Sequence, residues 1–243
     1  MSVLISMDNK RRAGEVAFWR EALTEYFRFP VEIPSPPDYD RKQDTALTRY
    51  GFLPMFLPAI SEDRFPDGAL RPNLNGSGIV SDVIEPMPLQ GRWVAVETID
   101  KLERDEEHTR ENEYLKDALM AEIGIESRLN HPYSGRHEGD DVVEDFLPKV
   151  AEKLGFAVDR VTVPSLEEWN LIAHLFNWLR DNRGFSDLPD LGSANIWERC
   201  RNAYDSDEGL VVGHRERGGL SAVSRMRRAG CLDNIGFRVL VVL

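Results

Sequence analysis

Between Ala13 and Phe29 the apolar residues recur at three- and four-residue steps. Val16, Trp19, Leu23 and Phe27 form one stripe, widened by Ala22 and Tyr26. That spacing puts them on a single helical face. Glu15, Arg20, Glu21, Glu25 and Arg28 fall opposite, and Pro30 stops the helix because it cannot donate to the ladder. Residues 1–12 read as a frayed terminus. A second stripe, Leu166, Trp169, Ile172, Ala173, Phe176 and Leu179, predicts a helix opened by Ser165 and Glu168 at capping-box spacing and closed by Gly184. A third helix is predicted from Asp141, with Glu144 as its capping partner, to near Gly155. Pro148 should kink it or sit in its first turn. Elsewhere the period is two. From Gly91, Trp93, Ala95 and Glu97 alternate with Val94, Val96 and Thr98. Val161–Val163 is a short strand closed by Pro164. Ile235, Phe237, Val239 and Val241 predict one face of a closing strand, with Arg238 turned the other way toward a buried acid.

The intervening segments carry turn or loop composition. Residues 30–44 are proline-rich and polar, and residues 46–60 form an apolar run broken by two prolines, suited to short strands or extended packing. Residues 61–78 are turn-rich, with Asn75-Gly76 as a turn signal. Residues 99–118 are dense in charge, as in a solvated helix or loop, and residues 126–140 form a polar loop holding His131 and His137. The expected organisation is an N-terminal extension over residues 1–85 and an α+β domain over residues 86–243.

Composition narrows the function classes. No apolar run approaches the eighteen or so residues that cross a bilayer, which argues against membrane insertion. Lys10, Arg11 and Arg12 follow the short apolar stretch Met1–Met7, the reverse of a secretory signal, so a cytoplasmic protein is expected. Cys200 and Cys231 have no metal-ligand spacing and read as free thiols. The net charge is −12, yet from Asn195 onward eight Arg face six acids. An acidic body with a basic tip disfavours wholesale nucleic-acid binding and leaves room for an acidic partner.

Trp197–Leu243 stands apart. Its two ends look structural, whereas its middle, rich in Arg, Ser and Gly, has neither helical nor strand periodicity. Three pieces of the chain line up with one family. Pro164-Ser165-Leu166-Glu167-Glu168-Trp169 resembles the R-L-P-T-x-x-E-W opening of a helix in formylglycine-generating-enzyme-like domains. Ala194-Asn195-Ile196-Trp197-Glu198-Arg199-Cys200 resembles their G-N-V-W-E-W-C segment. Arg217-Gly218-Gly219-Leu220-Ser221, followed by Ile235-Gly236-Phe237-Arg238-Val239, resembles their R-G-G-S-W and G-F-R-V. The resemblance covers roughly residues 91–243 and implies a C-type-lectin-like α+β domain. Trp197 would be a core anchor and Gly218-Gly219 a turn.

The family's enzymes carry clusters that are not matched. Where the oxidase branch has paired cysteines, this chain reads L-S-A-V-S-R-M-R-R-A-G. The H-x-x-x-H-x-E cluster of the iron-dependent branch has no counterpart among His108, His131, His137, His174 and His214. An enzyme on the same scaffold, using His131, His137 and Glu138, is the alternative reading. The C-terminal layout resembles variable proteins of diversity-generating retroelements, which implies a ligand-binding surface without catalytic residues or a catalytic cofactor. The ligand expected is a protein. The contact residues expected are Arg199, Arg201, His214, Ser221, Ala222, Ser224, Arg227, Arg228, Ala229 and Cys231. Glu216 and Met226 lie on the same stretch, but adenine changes in an asparagine codon ending in a pyrimidine do not reach them. Resemblance to some relatives also allows a structural calcium ion near Asn195.

Overall fold

A computed structural model describes residues 2–60, 88–98, 119, 122–123, 140–193, 197–217, 220, 222–227 and 235–243. Among them the chain forms an α+β structure with two four-stranded sheets. Helix α1 spans Ser2–Phe27, so the segment expected to fray continues the helix: nothing between Ser2 and Gly14 breaks the hydrogen-bond ladder. Arg28, at φ 61°, turns the chain out just before Phe29-Pro30. The predicted stripe is the buried face, with Trp19, Ala22, Leu23, Tyr26 and Phe27 all in the core.

Helix α2, Arg41–Arg49, lies where a loop and an extended run were expected. Asp40 caps it, accepting from the amides of Lys42 and Gln43, and the Gln43 side chain returns a bond to the Asp40 amide. This is a capping box with Asp and Gln in place of Ser and Glu. Strand β1, Phe52–Leu57, then pairs antiparallel along its whole length with β2, Arg92–Glu97. Pro54 is tolerated because β1 ends the sheet among the described residues, and the Pro54 carbonyl accepts from Trp19 Nε1 at 3.1 Å. Thus β1, on the N-terminal side of the expected boundary at residue 85, is hydrogen-bonded to β2 on the other side.

Helix α3 runs Asp140–Leu154 with Pro148 in its interior rather than its first turn. After β3, Val161–Thr162, helix α4 spans Leu166–Arg183. Its predicted capping box is present, and Gly184 closes it at φ 72°, where a side chain would be strained. Every residue of its predicted stripe is buried. Leu171 and Leu175 are buried as well, so α4 is covered beyond one stripe. One flank meets α1, where Tyr26 packs edge-on against Trp178 and Arg183 pairs with Glu21 and Glu25.

The second sheet is built from β4 (Trp197–Ala203), β5 (Glu208–Val212), β6 (Val223–Arg227) and β7 (Ile235–Phe237), in the order β6-β5-β4-β7. The first sheet has the order β1-β2-β8-β3, where β8 is Leu240–Val242. The single closing strand expected from the alternation is therefore two strands in two sheets. Arg238 and Val239 carry the chain from one to the other, and every residue from Ile235 to Val241 is buried. No helix among the described residues is long and apolar enough to cross a membrane.

Candidate functional site

The three motif segments meet inside the molecule. Trp169, on the first full turn of α4, donates its indole N–H to Glu198 Oε2 at 2.8 Å. Arg238 grips the same carboxylate with two bonds, Nε to Oε2 at 3.1 Å and Nη2 to Oε1 at 2.7 Å. Its Nη1 donates to the Glu97 carbonyl at 2.6 Å, and the Glu97 carboxylate accepts from the Val239 amide at 3.0 Å. Two-pronged guanidinium–carboxylate geometry of this kind offsets the cost of burying both charges. Arg238 therefore has the buried acid partner that alternation predicted.

A second set of contacts joins the start of α4 to β4. The Arg201 amide donates to the Pro164 carbonyl at 2.9 Å, and the Leu166 amide donates to Asn202 Oδ1 at 2.6 Å. Glu168 closes the cap on Ser165 while receiving Arg92 and Arg201. The helix start is thus fixed to the sheet by backbone and side chain together. Gly213, at φ 93°, passes over the Trp169 ring. A Cβ there would lie 2.7 Å from Trp169 Cζ2, so only glycine fits.

The predicted contact residues separate into different environments. Arg199 is 4% exposed, Ala222 2% and His214 8%. Their expected place on an open face is corrected. Arg199 lies on β4, an interior strand flanked by Val211 of β5 and Phe237 of β7. The Ala222 carbonyl accepts from the Gly213 amide. His214 packs against Trp197 with ring centroids 5.0 Å apart. Trp197 itself is only half-buried, so the core anchor of this region is Trp169.

Ser224, Met226 and Arg227 lie on β6, which has β5 on one side and ends the described sheet on the other. Ser224 and Met226 are half-buried, and Arg227 is exposed. Arg201 keeps one edge open while holding Glu168. Glu216 is exposed on the short 3-10 turn Arg215–Arg217. Ser221, Arg228, Ala229 and Cys231 lie outside the described residues, as do Gly218, Gly219, Asn195, His108, His131, His137 and Glu138. The residue that sequence reasoning passed over is Arg225. Its side chain is 48% exposed, sits 3.4 Å from Glu208 and lies over the Tyr204 ring at 5.1 Å. Arg215 and Arg217 add two further exposed guanidiniums nearby in sequence.

Among the described residues no three His, Cys, Asp or Glu side chains gather as a metal site. Cys200 is a buried free thiol, and burial, then the charges of Glu198, Glu167 and Glu168, push its pKa well above the usual thiol range. A thiol held neutral in this way is a poor nucleophile. No family model matches the chain, and no curated protein matches it.

Proposed function

We propose that the chain is a ligand-binding protein that presents its C-terminal stretch on a C-type-lectin-like scaffold. The presented surface consists of β6, the 3-10 turn before it and the residues around them. In this reading the scaffold belongs with the variable proteins of diversity-generating retroelements, and the ligand is a protein. The observation that carries it is the convergence of the three resembling segments. Trp169, Glu198 and Arg238 come from separate motifs and form one buried hydrogen-bonded unit. Outside that unit, Arg225 and Arg227 on β6, which ends the described sheet, and Arg215 and Arg217 before it are exposed. A surface that samples many sequences needs this division, because substitutions on an exposed edge leave the core packing intact. Exposed guanidiniums favour an acidic or carboxylate-bearing patch on the partner through charge-assisted hydrogen bonds.

The genomic locus supplies the direct test. A near-identical copy of the last hundred or so bases, differing mainly at adenines, is expected close to a reverse transcriptase gene. A locus holding neither removes the retroelement from the proposal. For binding, a library varied at Ser224, Arg225 and Arg227 is displayed and selected against unrelated protein targets. Recovery of folded, target-specific clones is expected. A library that yields only unfolded or indiscriminate clones overturns the binding role.

A further inference from the structure

A cleft of about 1120 Å³ lies between α2 and α3, on residues remote in sequence from the C-terminal stretch. Its volume suits a small-molecule ligand. Five cationic side chains line it against two carboxylates, although the whole chain carries a net charge of −12. One carboxylate, Glu122, is already committed. Arg49 and Lys153 pair with it, and Tyr50 donates its hydroxyl to it at 2.8 Å. These partners hold the Glu122 carboxyl below its usual range, the Lys153 hydrogen bond contributing most, so it stays ionised and keeps both cations occupied.

The remaining cations, Arg41, Lys42 and Lys149, make no ion pair among the described residues, and Glu152 is the other carboxylate lining the cleft. The amides at the start of α2 cannot take an anion in their place, since Asp40 already accepts from Lys42 and Gln43. Recognition therefore falls to the side chains. An arginine supplies a planar fork and two lysines supply point charges, a set suited to a multiply charged oxyanion. Ala46 and Ile123 add an apolar wall for the rest of a ligand.

We infer that the α2–α3 cleft binds a small molecule bearing a multiply charged phosphoryl group, with Arg41, Lys42 and Lys149 as its anion ligands. The site is independent of the proposed C-terminal binding surface. The test is calorimetric titration of the full chain with inorganic pyrophosphate at 150 mM chloride. One-to-one saturable binding is expected. Lys149→Gln and Arg41→Gln, each checked for an unchanged melting curve, should weaken it at least about tenfold, while Arg20→Gln on α1 leaves it unchanged. Absence of saturation, indifference to both cleft substitutions, or equal weakening by Arg20→Gln overturns the assignment.

Discussion

Arg238 and Arg225 are separated by thirteen positions in one arginine-rich stretch, yet they have opposite roles. Arg238 is fully buried and held to Glu198 by two bonds and to the Glu97 carbonyl by a third. Arg225 stands half in solvent, near Glu208 and the Tyr204 ring. The same guanidinium acts as internal fastening in one place and as presented charge in the other. What separates them is burial. β6 and β7 both end the described sheet, yet every residue from Ile235 to Val241 is buried, whereas Arg225 and Arg227 on β6 are exposed. Removing a partner from the first leaves an uncompensated buried charge. Trimming the second exchanges a weak, solvent-screened contact for water.

The contrast can be broken most severely at Glu198. Glu198→Ala strands Arg238 and deprives the Trp169 indole of its acceptor, and is expected to cost about 3–5 kcal/mol in chemical denaturation. A loss below about 1 kcal/mol would mean that the buried unit does not hold the scaffold. Gly213→Ala comes next, combining a positive φ with a Cβ driven into Trp169. About 1–3 kcal/mol is expected, together with a change in Trp169 fluorescence as the ring is displaced. Ser165→Ala removes the cap hydroxyl at the start of α4 and should cost about 1 kcal/mol by the same denaturation measurement. At the bottom of the scale, Arg225→Ala and Arg227→Ala should each stay within about 0.5 kcal/mol of the parent. A melt showing either as costly as Ser165→Ala would move β6 from the presented surface to the scaffold.

Local grammar carried much of this architecture. The box at Ser165 and Glu168, the glycine stop at Gly184 and the α4 stripe were readable because each depends on residues within one or two helical turns. The alternation of β2 and the internal ion pair of Arg238 were readable for a similar reason: period-two spacing and an isolated charge in an apolar run point to burial. Helix α2 was missed because its cap is Asp–Gln and its sequence lies between proline-rich segments.

By itself, then, the sequence determined that α1, α3 and α4 are helical and that β2 and β3 are extended, where α4 begins and ends, and that Arg238 must meet an acid. Only the tertiary structure decided which acid, since Glu198 lies forty residues away. It also decided that the last apolar run divides between two sheets, because alternation records a strand's faces and not its neighbours. The same limit placed Arg199 in the interior and Arg225 in solvent. Both are arginines in strands of mixed composition, and their burial depends on what packs over the face of the sheet each one occupies, a long-range property that no local pattern encodes.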